Sequence, residues 1–189
     1  MQNSDLMSQL NNFKEEYYNK NSKNIFFKKS QKMECAEHIS NNFNILELLR
    51  LTAFIIPNTN FIFIDYLIFK MYANESNYDI IVDYIMQLFD SCINKYGDFV
   101  VHVNLDTFSV SAAERYKNII IKFNKKCIEN LNTEYSKKLN YWKIYNTPNV
   151  IETIKKILKT VIEPEVINKI NLVSKKDSDA ELKNLFSIK

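Results

Sequence analysis

The stretch LNYWKIYNTPNVIETIKKILKTVIEPEVINKINLV, Leu139 to Val173, constrains the fold more than any other part of the chain. Tyr141 to Tyr145 is short, aromatic and alternating, as a half-buried strand requires. The Asn-Thr-Pro that follows cannot continue a ladder, because proline has no N–H. Val150, Ile151, Ile154, Ile157, Leu158, Val161 and Ile162 then recur at steps of three and four, with Glu152, Lys155, Lys156 and Lys159 on the other side. That spacing predicts a helix with a wide apolar face. Pro164 can open a further turn, and Val166 to Val173 is β-branched enough to read as a strand. The unit is β-α-β, which implies a crossover between parallel strands.

The rest of the chain extends this pattern. Leu6, Leu10, Phe13 and Tyr17 recur at helical spacing, and the Lys/Ser/Asn-rich part that follows reads as a linker or as a helix with one thin apolar stripe. Residues 1–44 are therefore a helical or linker extension to a domain at 45–189. From Ile45 to Pro57 a hairpin arm is the preferred reading, with a helix over Leu46 to Leu51 as the alternative. Phe61 to Phe69 reads as a strand. Tyr78, Ile81, Ile85, Leu88, Phe89 and Cys92 trace one helical face, and Gly97 stands where a left-handed C-cap belongs. Phe99 to Asp106 is the next strand. Ser111 is placed to cap a helix from Ala112 to Leu131, and Ser178 with Glu181 has capping-box spacing before a last short helix. Strands alternating with helices give an α/β, three-layer-like sandwich with a mostly parallel sheet and a hairpin at its start.

Composition removes several function classes. One glycine and three prolines in 189 residues leave no glycine-rich loop to cradle phosphates. A net charge of +3, with lysines interleaved among acids, lacks the footprint of a nucleic-acid binder. Cys35, Cys92 and Cys127 are an odd number without metal-ligand spacing, which points to reduced thiols and a cytoplasmic setting. No apolar h-region opens the chain, and Phe61 to Phe69 is too short to span a bilayer. The 25 asparagines, against two arginines, suggest an AT-rich genome such as a protist's or a large DNA virus's. His102 sits among valines as a core or pocket group. Asp65 and Asp106 stand at strand or strand-end positions, Asp65 as a cap or edge residue, and neither has a nucleophile beside it. No constellation of an enzyme, no metal site and no cofactor site emerges.

Several residues resemble the CRAL-TRIO family, the fold of phosphatidylinositol-transfer proteins and of retinal and tocopherol carriers. Tyr135 to Leu139 is similar to its Tyr-Pro-Glu-Arg-Leu-like segment, Asn146 and Pro148 to its Asn-x-Pro strand end, and Lys169 and Ile170 to the pair that opens its closing strand. The stretch from Tyr78 to Ser109 looks like the divergent short form that includes BCH domains. The chain departs from the family where PNTNF replaces the usual Asp-x-x-Gly-Arg-Pro turn, and no glycine follows Asp106.

The resemblance implies a lipid-sized pocket between one sheet face and a gate helix that opens at membranes. On this reading Phe63, His102, Asn104, Tyr145, Ile154, Leu158 and Val161 form the pocket and gate. Lys155, Lys156 and Lys159, with Lys122 and Lys126 on the preceding helix, meet phosphates or a membrane. The expected function is non-enzymatic binding or transfer of a phospholipid or other hydrophobic small molecule, with transient membrane contact and no nucleic acid. The alternative is a protein-interaction or structural module, BCH-like or virion-associated, with a filled pocket. Phe61, Phe63, Phe69, Phe99, Phe108 and Trp142 serve either reading, because alternation along a strand does not reveal its phase.

Overall fold

The structure is a computed structural model that describes residues 2–21, 28–130, 133–149, 151–152, 156 and 162–188. It is an α/β fold with five strands, β1 (Ala53–Ile55), β2 (Phe61–Asp65), β3 (Phe99–Asn104), β4 (Leu139–Thr147) and β5 (Ile170–Ser174). They lie in the order β1-β2-β3-β4-β5. The first two pair antiparallel, Phe54 opposite Phe63, and the others are parallel, with Phe63 opposite His102, Val103 opposite Ile144 and Ile144 opposite Leu172.

This order decides where the helices go. Each parallel step moves to the next neighbour in the same direction, and right-handed crossovers then all fall on one face of the sheet. The helices α5 (Tyr78–Tyr96) and α7 (Lys117–Glu129) obey that rule. They pack through Ile81, Phe89 and Ile119 into the main core with Phe99, Val101 and Val103. Phe89 stacks on Phe99 with ring centroids 4.3 Å apart. The opposite face is left for a terminal element, and α10 (Lys175–Phe186) covers it, placing Leu185 with Ile56, Phe63, Tyr145 and Val173. Three layers result.

The N-terminal part forms two helices, α1 (Gln2–Lys20) and α2 (Lys28–Asn42). Leu10 and Ile39 are fully buried and join the main core. Phe13 stacks on His38 at 4.9 Å and meets Phe43 edge-on at 5.3 Å. The stretch expected to be a linker or thinly striped helix is therefore helical over Lys28–Asn42, its stripe being Cys35 and Ile39.

Several boundaries differ from the sequence expectations, each for a local reason. Between Ile45 and Pro57 both readings hold in part: α3 (Ile45–Thr52) is capped by Asn44, and the hairpin arm β1 is only three residues long. The strand expected to run to Phe69 stops at Asp65, whose carboxylate accepts from Leu67 N at 2.8 Å and starts α4 (Tyr66–Tyr72). An apolar run of this length satisfies either period, and the cap decides it. The helix expected from Ser111 breaks at Tyr116 into α6 (Val110–Arg115) and α7, and Ser109, not Ser111, is its cap. After α8 (Tyr135–Lys138), Pro164 opens α9 (Pro164–Asn168), so the last strand begins at Ile170 and not at Val166. Ser174 caps α10 in place of Ser178, which lies inside the helix with no exposure. Gly97, at φ 89°, is the left-handed cap of α5.

Candidate functional site

The parity of the strands sends two sets of side chains to opposite faces. Ile64, Val101, Val103, Trp142, Ile144 and Leu172 point to the helical side, where α5 and α7 stand off far enough to leave a cavity of about 450 Å³. Its floor is these sheet residues, and Ile119, Phe123 and Cys127 of α7 form a wall. Tyr66, Phe69 and Phe108 close one end, and Ile151, Ile162 and Val166 bound it near the crossover that precedes β5. The lining is overwhelmingly apolar, with Asn124, Ser136, Glu152 and Glu163 as its polar members.

Two polar details mark the cavity. Trp142 lines it, and its indole Nε1–H is buried without a partner among the described residues. A buried unsatisfied donor costs on the order of 1–3 kcal/mol. Tyr135, also in the lining, is 3% exposed and donates to Asp90 Oδ1 at 2.5 Å while accepting from Asn130 at 3.0 Å. Burial first, and the Asp90 carboxylate next, push its hydroxyl up to about 12. This residue is a fixed wall and not a proton donor at neutral pH. Burial likewise pushes the Cys127 thiol up to about 12, with Glu163 and Asp90 adding to it.

The expected pocket residues are distributed differently. Phe63, His102 and Tyr145 lie on the opposite sheet face, under α10, and Asn104 stands at the end of β3 outside the cavity lining. His102 is 3% exposed and its Nδ1 is 2.8 Å from the Tyr145 hydroxyl. Burial and then the Lys143 charge lower its pKa to about 4, so it is neutral at physiological pH. Asn104 Oδ1 accepts from Asn146 Nδ2 at 2.9 Å and from Asp106 N at 3.1 Å, which ties the ends of β3 and β4 together. Asn146 has a left-handed backbone (φ 53°), and its N–H donates to Ser178 Oγ at 2.7 Å.

Of the aromatic residues that sequence left undecided, Phe69, Phe99, Phe108 and Trp142 line the cavity, whereas Phe61 and Phe63 face α10. Ile154, Leu158 and Val161, like Lys155 and Lys159, lie outside the described residues; Lys156 is exposed. Lys122 and Lys126 are engaged by α5, Lys122 with Asp79 at 2.7 Å and Lys126 with Asp83. Sequence reasoning passed over Ile64, Val101 and Val103, although their alternation with Phe63 and His102 was the available signal.

The family model for the CRAL/TRIO domain matches residues 33–189. The chain belongs to the CRAL/TRIO family. Comparison with curated proteins gives no match. Membership accounts for the five-stranded, mostly parallel sheet and points to the binding of small hydrophobic molecules such as lipids. The family's members are mainly lipid-binding and lipid-transfer proteins and not enzymes. In this CRAL/TRIO domain, no helix among the described residues is long and apolar enough to cross a membrane. No group of three or more His, Cys, Asp or Glu that could hold a metal occurs among them either.

Proposed function

We propose that this CRAL/TRIO domain holds one hydrophobic molecule in the cavity between the sheet and helices α5 and α7, and exchanges it with membranes that it contacts from outside. The observation that carries this reading is the apolar space of about 450 Å³ on the sheet face lined by Val101, Val103 and Trp142. Small-molecule sites span roughly 300–1,000 Å³ and combine apolar walls with a few polar groups. Here the polar lining comes from Asn124, Ser136, Glu152 and Glu163, of which the Asn124 amide and the Ser136 hydroxyl suit the carbonyl or hydroxyl oxygen of a lipid. Residues 1–44 act as an extension docked on the domain at 45–189.

Among the described residues, Phe99, Phe108 and Phe123 border the space without occupying it, which favours this reading over an interaction module with a plugged pocket. Native mass spectrometry of the gently purified full chain tests it. A co-purified hydrophobic molecule, lost in a Val103→Trp variant that remains folded, is the expected result. An empty wild-type protein that also takes up no member of a broad lipid panel would overturn it.

A further inference from the structure

A second concavity lies on the other side of Tyr66, and its chemistry is the reverse of the first. About 250 Å³ in volume, it is lined by Lys14 of α1, Lys32 of α2, Lys70 of α4 and Arg115 of α6, with the hydroxyl groups of Thr107 and Ser109 between them. Among the described residues, no carboxylate lines it. Four cations from four helices converge on one small space, although the chain as a whole carries only +3.

The nearest acids, Asp65 and Asp106, act on Lys70 from outside the lining, and each has a second partner. Asp65 caps α4 through Leu67 N, and Asp106 pairs with Lys175 at 3.6 Å. Lys70 donates to Thr107 Oγ1 at 2.6 Å, which leaves two ammonium protons for another acceptor. The Arg115 Nε–H is buried and has no partner among the described residues. Lys70 is half-buried, and burial first, then the neighbouring Lys14 charge, hold its pKa below the usual lysine range. A cluster of like charges of this kind is stabilised by a bound anion.

We infer that this pocket is a binding site for a compact, multiply charged phosphate monoester. Its volume falls below that of sites for drug-sized ligands. Arginine and lysine together suit a phosphate, the guanidinium as a planar fork and the ammonium groups as point charges. The site is distinct from the apolar cavity, from which the single ring of Tyr66, lining both, divides it. It also depends on what is particular to this chain, since Lys14 and Lys32 lie outside the residues 33–189 that match the family. The phosphate groups of a soluble metabolite and those of a phosphorylated lipid headgroup present the same chemistry to these side chains.

The test uses the full chain and two probes: 2,3-bisphosphoglycerate in solution, followed by calorimetry, and phosphatidylcholine vesicles with or without phosphatidylinositol bisphosphate, followed by flotation. Binding should be saturable in at least one arm, and which arm responds identifies the source of the phosphate. Replacing Lys70 and Arg115 together by Gln should weaken it by roughly tenfold or more, because two charge-assisted hydrogen bonds are lost. Replacing Lys117 and Lys125 by Gln on the exposed side of α7 removes the same charge and should leave binding within about twofold, as loss of unspecific surface attraction is small at physiological salt. If the Lys70/Arg115 variant fails to fold, the Lys14→Gln, Lys32→Gln pair on α1 and α2 carries the comparison. Equal weakening by the α7 control, or no saturable binding in either arm, would overturn the site.

Discussion

The hydroxyl of Tyr145 on β4 lies 2.8 Å from Nδ1 of His102 on β3, a hydrogen bond buried beneath α10. It joins two parallel neighbours two residues out of register, since His102 pairs with Lys143 in the ladder. His102 Nε2 is buried with no partner among the described residues, so a doubly protonated, charged ring would go unsolvated. That is the physical content of its lowered pKa, about 4 against an ordinary 6.5, with Lys143 as the secondary cause.

The stability consequence has a definite sign. Below pH 6.5 the unfolded chain takes up the proton while the folded protein resists it until about pH 4, so the unfolded state gains. Stability should therefore fall as pH drops from 6.5 to 4 and, for this group, level off below. The slope is at most about 1.4 kcal/mol per pH unit. Urea unfolding across that range should show a flatter profile in His102→Gln than in the wild type. Parallel profiles would mean that His102 does not carry the dependence.

Ser178 links the strand-ending Asn146 to the last helix. Its Oγ accepts from Asn146 N at 2.7 Å and donates to Ser174 O at 2.7 Å, with the serine wholly buried. Ser178→Ala leaves the Asn146 N–H unsatisfied and should cost about 1–3 kcal/mol in chemical denaturation. Ser187→Ala, at the exposed end of the same helix, should stay within about 0.5 kcal/mol. Equal effects would remove the special role of the Asn146–Ser178 bond.

The chain's one glycine tests the backbone alone. Gly97 has φ 89°, and a Cβ there would meet nothing within 4 Å, so any penalty comes from the left-handed conformation and not from crowding. Gly97→Ala should destabilise by roughly 1–2 kcal/mol. Gly97→Asn should cost less, because asparagine visits this region more readily. The ranking of thermal midpoints, glycine above asparagine above alanine, is the measurement.

What sequence discloses and what it hides follow from the range of the interactions involved. The cap at Gly97 is readable because it depends on one residue and its helix, and the strand end at Asn146–Pro148 because a missing N–H is a local fact. The extent of β2 is less readable, since FIFIDYLIF fits both periods until the Asp65 carboxylate engages Leu67. Alternation in FVVHVN declares two faces, but only the direction of the crossovers decides that Val101 and Val103 meet α5 and α7 while His102 meets Tyr145. The basic pocket has no local signature at all, because Lys14, Lys32, Lys70 and Arg115 are brought together only by the packing of four helices.

That division of faces yields the sharpest test of the ligand cavity. Val101 borders the space of about 450 Å³, whereas Phe63, its counterpart on the other face, is 5% exposed and packed against Phe54 and Phe186. Val101→Phe adds a ring to the cavity. In a tightly packed core such overpacking costs about 1–3 kcal/mol, but where a void accepts the ring, stability should hold or rise by about 0.5–2 kcal/mol. The same ring takes up room that a ligand needs, so binding of an environment-sensitive fluorescent fatty-acid analogue should weaken. Phe63→Ala should do the opposite, losing about 3–5 kcal/mol of stability while a protein still folded keeps its affinity for the probe. If Phe63→Ala abolishes binding in a folded protein and Val101→Phe leaves it intact, the ligand sits beneath α10, with His102 and Tyr145, and not against α5 and α7.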